Sequence, residues 1–133
     1  MSKKWKFGLL IIYVVIILSA TVLFRSPYEG RHFQPQLFWS YDVWEIEKEQ
    51  IVLNVLLFTP LGLIVGSLWK WKGILVGTDI SLLVELLQLI SSRGLFEFDD
   101  IIHNTLGTFI GVLICLVFEQ VVDKYYNYHK FIL

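Results

Sequence analysis

The sequence predicts an all-α polytopic membrane protein, a bundle of four transmembrane helices that form one domain over residues 1–133. Three observations predict this class. Hydrophobic residues make up 56% of the chain and charged residues only 17%, whereas soluble domains are about one quarter charged. Four apolar stretches are long enough to cross a bilayer, which takes about 20 residues. Basic residues also cluster beside particular ends of these stretches, as in membrane proteins of fixed orientation.

The four apolar stretches define the predicted spans. They cover residues 7–24, 51–69, 73–91 and 101–118, and a long loop over residues 25–50 separates the first two. The first stretch follows a basic start, as a signal peptide would. However, its apolar core is long and no clean cleavage site follows, which favours an uncleaved anchor. Because so few residues separate the second and third spans, these two helices are expected to form an antiparallel hairpin.

The distribution of basic residues predicts the orientation. Seven of the eleven Lys and Arg residues fall on one side of the predicted bundle: Lys3, Lys4, Lys6, Lys70, Lys72, Lys124 and Lys130. Short loops rich in Lys and Arg face the cytoplasm. We therefore expect a multi-pass protein of the cell membrane with both termini in the cytoplasm and the loop over residues 25–50 outside.

The second helix is expected to begin before its apolar stretch does. Asp42 is followed three residues later by Glu45, a spacing typical of a capping box. The helix would then start near Val43 and continue without a break to Trp69, about 40 Å, which is longer than a hydrocarbon core of about 30 Å.

Several classes of function are disfavoured by composition. The net charge of −1 gives no electrostatic reason to expect a nucleic-acid partner. Cys115 is the single cysteine, so an internal disulfide is excluded. The three histidines do not have ligand spacing, and no nucleotide-binding loop or hydrolase triad is found. We expect neither a metal nor another cofactor.

Polar and small residues share one face of each of three predicted helices. The stripes are Asn54, Phe58, Gly62 and Gly66 in the second span; Ser81, Glu85, Gln88 and Ser92 in the third; and Asp100, Asn104, Gly107 and Gly111 in the fourth. The glycines are typical of close helix packing. Glu85 is different, because a charge near the bilayer centre costs about 2.5–3.5 kcal/mol. Asp79 lies on another face of the same helix.

These stripes predict a polar cleft in the outer half of the bilayer, to which all four helices contribute. A shared pocket would let such groups satisfy one another, whereas the other interpretation is a purely structural polar core. We expect Glu85 to hydrogen-bond Asn54, Asn104 or an arginine. Which of Asp99 and Asp100 belongs to the site is open, although spacing favours Asp100. The candidate ligand-binding residues are Arg25, Asn54, Glu85, Gln88, Arg93, Asp99, Asp100 and Asn104.

Several short motifs together resemble the VanZ-like family of membrane proteins. The segment from Asn54 to Gly62 resembles the family pattern N-x-x-x-F-x-P-x-G, and Glu85 to Gln88 resembles E-x-x-Q. Arg93, followed by Asp100, Asn104 and Gly107, resembles R…D-x-x-x-N-x-x-G, and Arg25 matches a basic position after the first helix. The resemblance covers about residues 25–111.

The resemblance implies a role in the cell envelope of Gram-positive bacteria and in antibiotic resistance, through lowered sensitivity to teicoplanin. The leading hypothesis is a cleft that binds the anionic head of an envelope lipid, a lipid-linked glycan or a lipoglycopeptide, with Arg25 and Arg93 engaging its phosphate or carboxylate. Two alternatives stay open. One is an enzyme acting on a lipid-linked intermediate, with Glu85 and Asp100 as candidate acid and base. The other is a proton-coupled transport component, for which four short helices would need to oligomerise.

Overall fold

The computed structural model describes residues 2–27, 29–30 and 33–132, the last four of these by their backbone only. Arg31 and the side chain of Lys130, on which the predicted orientation depends in part, lie outside the described residues. The described chain is almost entirely helical. Its elements in order are α1 (Lys3–Leu18), a π-helical turn (Ser19–Leu23), β1 (Phe33–Gln34), α2 (Trp39–Asp42), α3 (Trp44–Trp69), a 3₁₀ turn (Lys70–Lys72), α4 (Gly73–Ser91), β2 (Phe96–Glu97) and α5 (Phe98–Ile132).

Three continuous helical stretches in the described part of the chain are long and apolar enough to cross a membrane: Lys3–Leu23, Trp44–Ser91 and Phe98–Tyr128. The second contains α3, the 3₁₀ turn and α4. Lys70 has a φ of 56° in that turn, and α3 and α4 pack against each other as a hairpin. The chain is thus a helical membrane protein, whereas four separate crossings remain a prediction.

The predicted helix boundaries agree with the structure in the hairpin and differ elsewhere. As expected, α3 begins at Trp44 and runs unbroken through its 26 residues to Trp69. The capping-box prediction is wrong, because Val43 occupies the N-cap position and Asp42 instead accepts a hydrogen bond from Gln36. Helix α5 is also much longer than residues 101–118, since no helix-breaking residue follows the apolar stretch.

Glycines let α3 and α5 approach backbone to backbone. A Cβ atom built on Gly62 would lie 2.2 Å from the Thr108 carbonyl oxygen, and one on Gly111 would lie 2.0 Å from that of Thr59. No side chain fits in either space. The predicted packing role of these stripes is therefore confirmed, and it brings the polar ends of α3 and α5 together.

Described residues of the loop over residues 25–50 contact the start of α5 and the strand before it. Strand β1 pairs in parallel with β2, with Phe33 opposite Phe96 and Gln34 opposite Glu97. Helix α2 follows, and Ser40 within it is buried. This loop and residues 92–97 cover one end of the bundle, which we call the loop end. The opposite end, with the 3₁₀ turn and the start of α1, is the hairpin end.

Candidate functional site

A cavity of about 370 Å³ opens at the loop end. It lies among the end of the first helical stretch, the segment before α5, and the first two turns of α3. Its lining contains both basic and acidic side chains: Arg25, Ser26, Trp39, Glu47, Gln50, Arg93, Gly94, Leu95 and Glu97. The volume is at the lower end of the range for small-molecule sites.

Glu85 lies behind this cavity, and Glu97 lines it. The Glu85 side chain is only 1% exposed, and its Oε2 accepts a hydrogen bond of 3.0 Å from the Glu97 backbone N–H. The expected partners were Asn54, Asn104 or an arginine, and none of them makes this bond. The backbone N–H is available because residues 92–97 fold back over the end of α4, which local sequence patterns do not reveal.

Glu97 joins α4, α5 and the covering loop. It is 5% exposed, and its Oε2 accepts a hydrogen bond of 3.0 Å from the indole N–H of Trp39. Burial, and then the neighbouring Asp100 carboxylate, raise the pKa of Glu97 to about 8. The side chain is therefore largely protonated and neutral at pH 7.

Asp100 is buried beside the first turns of α3. Gln50 Nε2 donates to Asp100 Oδ2 at 3.3 Å. The Asn54 amide faces the same carboxyl, but its Nδ2 makes no hydrogen bond within geometric limits. The Arg25 guanidinium interacts electrostatically with both Asp100 and Glu85. Arg25, Asn54, Glu85 and Asp100 are thus brought together from four separate parts of the chain.

Gln88 connects this group to the first helix. Its Nε2 donates at 3.1 Å to the Thr21 carbonyl oxygen, within the π-helical turn. Such turns leave carbonyls without their usual α-helical partner. A Cβ built on Gly94 would lie 3.1 Å from Gln88 Cδ and 3.2 Å from Arg25 Nη1, so glycine allows these side chains to approach here.

Arg93 holds the end of the first helix and also lines the cavity. Its Nη1 donates at 2.6 Å to the Leu23 carbonyl and at 3.4 Å to that of Arg25. Ser92, placed with the polar stripe of the third span, instead ends α4 in a left-handed conformation and is exposed. Arg93 Nη1 therefore stabilises the fold, while the same side chain lines the cavity.

Asp99 anchors the covering loop and lies away from the cavity. It is 1% exposed and accepts three hydrogen bonds, from Phe38 N at 2.6 Å, Ser40 N at 3.0 Å and Ser40 Oγ at 2.6 Å. Asp100, one residue further along α5, points to Gln50. The two adjacent carboxyls thus occupy different surroundings.

Asn104 lies one helical turn after Asp100 on α5, further from the loop end. Its Nδ2 donates to Ser81 Oγ at 2.9 Å, which links α5 to α4 below Glu85. The neighbouring His103 meets the Tyr41 hydroxyl at 3.1 Å, again between α5 and the loop. Asp79 lies apart, exposed on α4.

Seven cavity-lining residues were not among the candidates from sequence: Ser26, Trp39, Glu47, Gln50, Gly94, Leu95 and Glu97. Gln50 and Glu47 lie one and two turns before Asn54 on the same helix face, so extending the stripe of α3 outward would have found them. Trp39 and Glu97 have no such signal. They meet because the covering loop returns to the start of α5, where β1 pairs with β2 and Asp99 binds the residues on either side of Trp39.

Comparison with known proteins gives the family. The VanZ/LLP1 family model matches residues 7–119. The chain belongs to this family. It is similar to Protein VanZ of Enterococcus faecium, with 30% identity over 123 residues that cover 84% of this chain and 74% of the relative. No solved structure matches it. The cavity and the buried carboxyls behind it therefore lie inside the segment that defines a VanZ/LLP1 protein.

Proposed function

We propose that this VanZ-like protein binds the head group of an envelope lipid, a lipid-linked glycan or a lipoglycopeptide in the loop-end cavity, and thereby lowers teicoplanin sensitivity. The observation that carries the proposal is the cavity itself. It places two guanidinium groups, two carboxyls and an indole around about 370 Å³ at the end of an apolar bundle. Arg25 and Arg93 suit a phosphate or carboxylate, because guanidinium binds both through paired hydrogen bonds.

The proposal includes a membrane topology. Helix α1 with its π-helical turn, α3, α4 and α5 each cross the bilayer, both termini lie in the cytoplasm, and the loop end faces outward. Reporter fusions at Gln36 and after Lys130 should then report opposite sides. Finding both on one side would contradict the four-span topology.

A resistance assay tests the binding role. Cells without other glycopeptide resistance would express the protein or its Arg25→Gln variant, with Lys48→Gln as the matched control. Lys48 is a basic residue at the same end that pairs with Glu45 at 2.6 Å and does not line the cavity. Arg25→Gln should abolish protection, whereas Lys48→Gln should retain it at equal amounts of membrane protein. Full protection by Arg25→Gln would refute the role of the cavity.

Glu85→Gln separates the binding role from the enzyme and transport alternatives. Glutamine retains an oxygen that can accept the Glu97 N–H hydrogen bond but cannot transfer a proton at neutral pH. Binding predicts that protection persists, because Glu85 positions Glu97 from behind the cavity. A general acid or base, or a proton carrier, predicts loss of protection. Glu85 is buried and does not line the cavity, so it does not reach a ligand there directly. This position favours the binding role.

A further inference from the structure

The cavity has two walls of opposite electrical character. Arg25 and Arg93 lie on one side, beside Gly94. Glu47, Gln50 and Glu97 lie on the other, with the Trp39 indole hydrogen-bonded to Glu97. A ligand that fills this space therefore meets strong donors at one end and carboxyl acceptors at the other.

Among the residues that the structure describes, no basic side chain forms an ion pair with the acidic wall. The charges that act most strongly on Glu97 are carboxylates: Asp100, Glu47 and Asp99. Arg25 interacts electrostatically with the inner pair, Glu85 and Asp100. A positive group placed between Glu47 and Glu97 would pair with the Glu47 carboxylate, favour the ionised form of Glu97 and face the Trp39 ring.

The basic wall has guanidinium N–H donors that are not used within the described part of the protein. Arg93 Nη1 donates to the Leu23 and Arg25 carbonyls, and the other guanidinium N–H groups make no further hydrogen bond in the described part of the protein. The Arg25 guanidinium forms no ion pair within 4.0 Å among the described residues. An anionic group can engage both arginines without displacing an existing hydrogen bond.

From these walls we infer that the occupant is a zwitterionic head group, with a phosphate at Arg25 and Arg93 and a primary ammonium at Glu47, Glu97 and Trp39. This inference rests on the proposed binding function and narrows its ligand class. A purely anionic head would leave the Glu47 carboxylate without a cation. A neutral sugar would supply a counter-charge neither to Glu47 nor to the two arginines. The small volume also suits a lipid head better than a whole glycopeptide.

The test compares lipids that differ only in the amine. The purified full-length protein in detergent would be titrated with phosphatidylethanolamine and with N-acetyl-phosphatidylethanolamine of the same acyl chains, and bound lipid counted by native mass spectrometry. Loss of the ammonium should weaken binding roughly tenfold, as expected for a lost charge-assisted hydrogen bond. Glu47→Gln should remove that preference, and the matched control Glu45→Gln, at an exposed position outside the cavity, should retain it.

The outcomes separate this inference from the proposed function. Equal binding of the two lipids that is weakened by Arg25→Gln would overturn the zwitterionic ligand and leave the head-group site standing. Binding that neither Arg25→Gln nor Glu47→Gln changes would overturn both. Soluble phosphoethanolamine carries the same charges, so its failure to compete supports a lipid-borne head. Competition as strong as that of the lipid would overturn the lipid assignment.

Discussion

The two ends of the bundle are stabilised in different ways. At the hairpin end, polar contacts are peripheral. Lys70 pairs with Glu119 while both stay partly exposed, Lys6 Nζ caps the Ser67 carbonyl at 3.0 Å, and Phe7 packs edge-on against Trp69. At the loop end, carboxyls are buried and bonded to backbone and indole N–H groups of a covering loop. The first arrangement leaves its polar groups partly exposed, whereas the second encloses them. The loop end should therefore respond to changes of charge and the hairpin end should tolerate them.

The largest effect is expected where the two ends are joined, along the α3–α5 contact. Gly111→Ala would place a Cβ 2.0 Å from the Thr59 carbonyl oxygen, so the helices must separate. We expect a loss of about 3 kcal/mol or more in stability, measured by thermal unfolding in detergent. Gly8→Ala is the control, because nothing lies within 4 Å of its Cβ. Equal melting of both variants would show that the close approach does not hold the ends together.

The next largest effect is expected at Asp99, which holds the covering loop. Asp99→Ala leaves the Phe38 and Ser40 N–H groups without acceptors, at about 1–3 kcal/mol for each. Hydrogen exchange in residues 33–42 should rise strongly. Asp42→Ala removes an exposed carboxylate that bonds only Gln36 among the described residues, and should leave exchange nearly unchanged. Unchanged protection in Asp99→Ala would mean that packing alone holds the loop.

A pH dependence of stability should distinguish the loop end from the hairpin end. Burial and Asp100 raise the pKa of Glu97 from an ordinary value of 4.5 to about 8 in the folded protein. The protonated form is therefore favoured by folding. Its stabilising contribution is complete below about pH 4.5 and is lost as the pH rises to about 8.

Thermal unfolding of wild type and Glu97→Gln between pH 5 and pH 9 measures this contribution. Glutamine can still accept the Trp39 hydrogen bond but does not titrate, so the variant should lose less stability than wild type on going to higher pH. The difference is at most about 1.4 kcal/mol per pH unit. If the stability of the two proteins changed equally with pH, Glu97 would not be the source of the pH dependence.

The smallest effect is expected at the hairpin end. Lys70→Ala breaks the ion pair with Glu119, whose side chains are 54% and 34% exposed. Partly exposed pairs contribute about 0–1 kcal/mol, so melting should shift little, as in the control Lys72→Ala. If Lys70→Ala lost as much stability as Asp99→Ala, the two ends would not differ in their tolerance of charge changes.

The sequence by itself determined the helices and much of their packing. Apolar length defines a helical membrane protein, because unsatisfied backbone groups are excluded from lipid. The period of polar and small residues placed Gly62, Gly111, Glu85 and Asp100 on interior faces, because side chains three and four apart share a helix surface. The start of α3 near Val43 was also predicted correctly, although the capping box on which that prediction rested is not formed.

Only the tertiary structure decided how the loop end is closed. The β1–β2 pairing joins segments more than 60 residues apart, with Phe33 opposite Phe96, and no local pattern encodes that register. The same return of the covering chain brings Trp39 to Glu97, while the fold-back of residues 92–97 over α4 brings the Glu97 N–H to Glu85. Helical periodicity predicts which side chains share a face only within the helix itself. The partners of buried carboxyls at a helix end therefore depend on where the covering chain returns, and so on the whole fold.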